Sequence, residues 1–299
     1  MLLTGLYVPL ITPFTATGEL ATTALEELAH SALADGAAGL VALGTTAEAA
    51  ALTAEERDTV IEICANACAR SGAPLIAGAG TNSTASSIEQ VAVLDRRISA
   101  ALTVVPYYTR PSEDGVIEHF RALAAASPVP LIVYHIPYRT GRTLGAKTLG
   151  RIARIPNVAG FKHSAGGIDE TTISFLADLP ADVSVLAGDD LFTAPLLALG
   201  ASGAILACAN IAARPYAELI AAWRDGSVEH ARQLGRRLVP FTRTLFAEPN
   251  PTVIKAVLAA HGRIPSPHVR LPLLPASTEA TAAALACAEQ LALGLLPQR

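Results

Sequence analysis

A lysine and a tyrosine, each closing a short apolar run, are the residues of this chain best placed to do covalent chemistry. Pro130-Leu-Ile-Val133 leads into Tyr134, and Val158-Ala-Gly-Phe161 leads into Lys162. Runs of that length bounded by polar residues predict buried strands, so each side chain is delivered at a strand's C-terminal end. An amine in such a place has lost the water an ammonium needs, and the free amine attacks a ketone to form a Schiff base. A tyrosine hydroxyl one strand-helix unit earlier is placed to shuttle the protons that imine formation needs.

Other polar groups sit at the ends of similar runs: Thr12, Gly44-Thr-Thr-Ala-Glu48, Tyr107 and Tyr108, Arg139, and Gly188-Asp-Asp190. Thr45 and Thr46, in a glycine-started turn ahead of a helix, offer hydroxyls and backbone N–H groups to a carboxylate, or serve as ordinary caps. Arg139 brings a planar, permanent charge suited to a second carboxylate, or to a loop salt bridge. Their value lies in converging on one cleft.

The elements that must position them recur as apolar runs at Leu6–Ile11, Gly39–Leu43, Pro74–Ala79, Ala101–Val105, Leu131–Tyr134, Val158–Phe161, Val183–Ala187 and Ala204–Ala207. Helix-patterned stretches lie between them, such as Thr23–Ala34 and Ala54–Ala69, the latter with Thr53 as N-cap and Glu55 and Glu56 in its first turn. That alternation predicts an α/β fold, a (β/α)8 TIM barrel over residues 1–212, whose reactive groups gather at the C-terminal ends of the strands. Residues 213–299, broken by Pro249-Asn-Pro251 and the Pro265–Pro275 region, are expected as two or three C-terminal helical pieces packed on the barrel in one structural unit. The rival is a doubly wound open sheet, but Gly78-Ala-Gly80 lacks the third glycine and acidic partner of a dinucleotide fingerprint.

Composition removes other classes. With 51% hydrophobic and 16% charged residues over 299 positions, the chain can bury a large core. A formal charge of -4 argues against a nucleic-acid partner. The small pairs Arg96-Arg97 and Arg236-Arg237 are expected on helices as solvated or interface charges. Cys64 and Cys68 are four apart on a helix, while Cys208 and Cys287 are distant, so buried thiols in a reducing, cytoplasmic setting are expected and no metal site. The N-terminus lacks the basic region of a secretory signal. Leu191–Ala213 is long enough to span a bilayer but contains Pro195, Gly200, Ser202, Gly203 and Asn210, so no membrane segment is expected.

Pro9-Leu-Ile-Thr-Pro-Phe14, Gly44-Thr-Thr-Ala-Glu48, Val105-Pro-Tyr-Tyr-Thr-Arg-Pro-Ser112, Tyr134-His-Ile-Pro-Tyr-Arg-Thr-Gly141, Gly160-Phe-Lys162, Gly188-Asp-Asp190 and Glu248-Pro-Asn-Pro251 together cover nearly the whole chain. In these motifs and their order the chain resembles the dihydrodipicolinate synthase and N-acetylneuraminate lyase family of Schiff-base aldolases. The resemblance implies that Lys162 forms an imine with pyruvate or another 2-oxo acid, with Tyr134 as the proton-transfer group beside it. It implies that Thr45 and Tyr108 complete a hydroxyl relay, Tyr108 reaching into a neighbour's site across a dimer interface. Thr46 joins Thr45 on the pyruvate carboxylate, the Ile205 backbone carbonyl faces the site, and Gly188 belongs to the substrate-binding wall. The partners so implied are pyruvate, a small aldehyde and a second copy of the chain, as a homodimer or a dimer-of-dimers tetramer, with no cofactor beyond the Lys162 imine.

Within that family Arg139 points to a synthase, where an arginine fixes the carboxylate of aspartate semialdehyde; sialic acid lyases and 2-keto-3-deoxy sugar acid aldolases or dehydratases resemble one another in a small apolar residue there. A silent barrel that binds a 2-oxo acid is the remaining alternative. Three positions depart from the family pattern: Ala47 for a glycine, His135 for an asparagine and His163 for an acidic residue. Ala47 fits only with negative φ. The two histidines either alter the charge balance at Lys162 or are satisfied groups behind it. The family's lysine-feedback positions correspond to Ala54, Arg57 and Ser86, with Asn82 and Tyr107 retained, so weak or absent inhibition by lysine is expected.

Overall fold

The computed structural model describes residues 2–294. Eight parallel strands, β1 (Gly5–Pro9), β2 (Gly39–Ala42), β3 (Leu75–Gly78), β4 (Ala100–Val104), β5 (Leu131–His135), β6 (Val158–His163), β7 (Ser184–Ala187) and β8 (Gly203–Ile205), close into a barrel in sequence order. The expected (β/α)8 barrel is therefore the observed fold. Strands buried on both faces read as continuous apolar runs, which is why the pattern was legible.

The helices between them are α1 (Thr22–Ala34), α2 (Ala54–Ser71), α3 (Thr84–Ala92), α4 (Glu113–Ala126), α5 (Pro137–Thr140), α6 (Ala146–Ala153), α7 (Glu170–Ala177) and α8 (Thr193–Ala198). After β8 come α9 (Ala209–Arg224), α10 (Val228–Leu245), α11 (Thr252–Ala260) and α12 (Thr278–Gly294). Thr53 caps α2 as expected, accepting from the Glu56 N–H while the Glu56 carboxylate accepts from the Thr53 N–H. Residue 212 lies inside α9, where Ala212 leaves the helical region at φ -123° and ψ 50°.

Two sequence expectations are corrected. Arg96 and Arg97 lie in a turn after α3, because Arg97 folds back on Asp95 and Glu62. The C-terminal part is divided once more than expected, at Gly226, whose φ of 77° ends the run between α9 and α10.

Side chains alternate across each strand, one set filling the barrel and the other meeting the helices. Tyr7, Val41, Ile76, Leu102, Ile132, Tyr134, Leu186 and Ile205 form the inner cluster, whereas Val133, Phe161, Val185 and Phe175 belong to the layer between strands and helices. Among the described residues no helix is long and apolar enough to cross a membrane.

Candidate active site

β5 and β6 are in register with Tyr134 opposite Lys162, and β6 pairs Lys162 with Leu186 of β7. Because Tyr134 faces the interior, its neighbour Lys162 does too. The Lys162 Nζ lies 4.3 Å from the centre of the Tyr134 ring, and each residue is 7% exposed. Gly188, one residue beyond β7, leaves room for that amine. A Cβ there would stand 2.7 Å from the Lys162 Cγ, 2.9 Å from its Cε and 2.1 Å from the Ser164 Oγ.

The Thr45–Ala47 turn follows β2 as one turn of 3-10 helix opened by Gly44. Ala47 lies inside it, outside the positive-φ region, so alanine is accommodated at that departure from the family pattern. The turn is held from behind: the Thr12 hydroxyl donates to the Ala47 carbonyl at 2.7 Å, and the Asn250 amide donates to the Thr46 Oγ1 at 3.0 Å. Glu48, next in the chain, is in the left-handed region at φ 53° and its buried carboxylate meets the Lys255 Nζ at 2.6 Å.

These elements enclose a cavity of about 320 Å³ lined by Thr45, Thr46, Tyr134, Arg139, Lys162 and Gly188, together with Tyr138, Asp189, Asp190, Arg243 and Asn250. Its two carboxylates are occupied by donors. Asp189 accepts from the Tyr138 hydroxyl at 2.9 Å and the Gly166 N–H at 2.8 Å. Asp190 accepts from the backbone of Cys208 at 2.7 Å, and burial pushes its carboxyl up to about 6 against the pull of those donors and of Lys162. Arg139 and Arg243 make no side-chain hydrogen bond or ion pair among the described residues. The cavity therefore offers two guanidinium groups with unused donors, while the oxygens of its carboxylates are already engaged by donors, an arrangement suited to carboxylate-bearing ligands.

Six of the residues expected at the site thus come together in one chain. Tyr108 and Ile205 do not line the cavity: Tyr108 is 87% exposed, and Ile205 ends β8 wholly buried in the barrel interior. A second cavity of about 440 Å³, lined by Tyr107, Ala49–Ala51 and Leu271–Leu273, shares Thr45, Tyr134, Arg139 and Asn250 with the first. The site is open on that side.

His135 and His163 lie behind the site. Strand alternation turns both outward, their rings 5.3 Å apart, with His163 Nε2 3.1 Å from the Thr172 hydroxyl on α7. Desolvation brings His135 down to about 3 and His163 down to about 4, so both are neutral at neutral pH. They put no charge beside Lys162.

Arg243 and Lys255 were not singled out from sequence, whereas Tyr138, Asp190 and Asn250 lay inside quoted motifs without a role of their own. Cys64, Cys68 and Cys208 are buried and Cys287 is half-buried. Among the described residues no three His, Cys, Asp or Glu side chains converge as for a metal.

Comparison with known proteins agrees with the geometry. The Dihydrodipicolinate synthetase family model matches residues 2–291. A 4-hydroxy-tetrahydrodipicolinate synthase of Syntrophus aciditrophicus is 41% identical over 271 residues, covering 90% of this chain and 91% of the relative. The structure of a chloride-inhibited dihydrodipicolinate synthase from Acinetobacter baumannii complexed with pyruvate superposes with a TM-score of 0.90 at 34% identity, over 96% of this chain and 99% of that one. A variant described as the first monomeric dihydrodipicolinate synthase gives 0.93 at 30% identity, over 97% of each chain.

Proposed function

The chain belongs to the dihydrodipicolinate synthetase family, and from that footing we propose that it is a Schiff-base lyase condensing pyruvate with aspartate semialdehyde to 4-hydroxy-tetrahydrodipicolinate, a step of lysine biosynthesis. The observation that carries the reading is the pairing of Lys162 with Tyr134 beneath a cavity in which Arg139 and Arg243 have unused donors.

The Lys162 amine attacks the pyruvate ketone, and the carbinolamine expels its oxygen as water with a proton delivered through Tyr134. Thr45 and Thr46 hold the pyruvate carboxylate. The resulting iminium draws electrons from the methyl carbon, which loses a proton and attacks the aldehyde as an enamine; the amino group of the former aldehyde then attacks the regenerated iminium carbon, closing the ring and expelling the Lys162 amine. Arg139 anchors the aldehyde's own carboxylate, in keeping with its lack of any other ion pair. The imine is the electron sink, so the reaction calls for no metal or organic cofactor. Tyr108, exposed and displaced from its own cavity, is assigned to a second protomer's site, entered from the open side that Thr45 and Tyr134 share with the second cavity. The working unit is accordingly a homodimer or a pair of them, in the cytoplasm.

The test is a coupled assay with pyruvate, aspartate semialdehyde and added dihydrodipicolinate reductase, following NADPH. Rapid turnover is expected, and Arg139→Ala should raise the aldehyde KM at least tenfold while changing the pyruvate KM by no more than about twofold. No turnover, with borohydride still trapping pyruvate on Lys162, would redirect the search to sugar-acid substrates.

A further inference from the structure

The Thr45–Ala47 turn is tied to the C-terminal helices at two points, and both ties come from one short segment. Asn250 reaches Thr46 at 3.0 Å, and Lys255, one turn into α11, reaches Glu48 at 2.6 Å. Both charged side chains are sealed from solvent, at 0% and 2% exposure. The Lys255 Nζ and the Arg270 guanidinium both lie over the Phe14 ring, at 4.1 and 4.3 Å. The Arg270 N–H donates to the second Glu48 oxygen at 2.9 Å, and its guanidinium takes the Glu56 carboxylate, reached at 2.6 Å by Nη1. Glu48 is thus a non-glycine residue in left-handed backbone, immediately after the turn, with every carboxylate oxygen engaged.

A left-handed backbone at such a residue persists only where its surroundings over-determine it. A buried charge pair adds little stability on balance against apolar replacements, so this one is read through the geometry it holds. The feature that needs fixed geometry here is the Thr46 hydroxyl, whose Oγ1 is already oriented by Asn250.

We infer that Lys255 and Asn250 act as a two-point clamp on the Thr45–Glu48 turn, with Lys255 a positioning residue for the carboxylate cradle of the reaction. This rests on the reading of Thr45 and Thr46 as the pyruvate-carboxylate site. It gives the added helices a part in the chemistry without any of their charges touching substrate through this pair.

Removing one partner strands a buried charge and threatens the fold, so the deciding variant is the double substitution Glu48→Gln with Lys255→Met. Two readouts are taken on the full chain. Hydrogen exchange at the amides of residues 44–48 should speed at least tenfold in the variant while β5 and β6 keep their protection. The pyruvate concentration for half-maximal borohydride trapping should rise at least tenfold relative to wild type, with kcat at saturating pyruvate within about threefold. Unchanged exchange in the turn would overturn the clamp whatever pyruvate does. Faster exchange with unchanged pyruvate half-saturation would overturn the cradle reading of Thr45 and Thr46, and with it the role given to Lys255.

Discussion

Gly188 leaves no room for a side chain because the space is already taken by Ser164 and the stem of Lys162. Its nearest neighbours are Ser164 and Lys162, at distances no Cβ tolerates. Gly188→Ala should displace the lysine and lower the rate of imine trapping by about a hundredfold, the scale set by misplacing a reacting group by an ångström; trapping at the wild-type rate would show that Lys162 has slack. Lys162→Ala should abolish covalent capture of pyruvate in a mass spectrum after borohydride. Tyr134→Phe should preserve the amine yet slow turnover by about two to three orders of magnitude. Full activity of that variant in the coupled assay would remove Tyr134 from the proton path.

At the scale of elements, two residues of strand separate a legible feature from an illegible one. The apolar runs mark β5 to Tyr134 and β6 to Phe161, and they leave open on which side of the sheet His135 and His163 lie. The strands run on to His135 and His163, and alternation then turns both rings to the far side of the sheet. Polar strand ends hide themselves from a pattern built on apolarity. The motif turn around Thr45 and the Lys162–Tyr134 pair were legible because residue type and strand position sufficed. The Glu48–Lys255 pair was not, since a local pattern does not specify which buried charges meet across a barrel and its added helices. The histidines carry a consequence for acid stability. Both are held neutral well below the ordinary histidine value, so between about pH 6.5 and about 4 the unfolded chain binds more protons than the folded one. Their contribution is complete above about pH 6.5 and is lost as pH falls through that window. Wild type should lose roughly 5 °C more in Tm from pH 7 to pH 4.5 than a His135→Leu/His163→Leu variant. Parallel melting profiles would place the acid sensitivity elsewhere.

On the scale of the whole molecule, the cavity is a partly open vessel, and in the proposed dimer another copy would supply its missing wall. Tyr108 stands out at φ 68° with 87% of its surface exposed. If it serves a neighbour, co-expressing Tyr108→Phe chains with Lys162→Ala chains should give mixed dimers more active than either variant alone. One site in each such dimer then holds both an intact Lys162 and an intact Tyr108. Activity no higher than the parents' would confine the relay to a single chain. The tie between Lys255 and Glu48 also imposes a timetable on biosynthesis. At about 5–20 residues per second, the roughly ninety residues separating Lys162 from Lys255 take on the order of 5–20 s to emerge. Through that interval the growing chain carries its amine without a finished cradle, and β8 has still to dock on β1 for part of it. On the clamp reading, a half-made barrel would hold pyruvate more weakly than the finished chain, and the cradle would reach its full grip only when translation is nearly over.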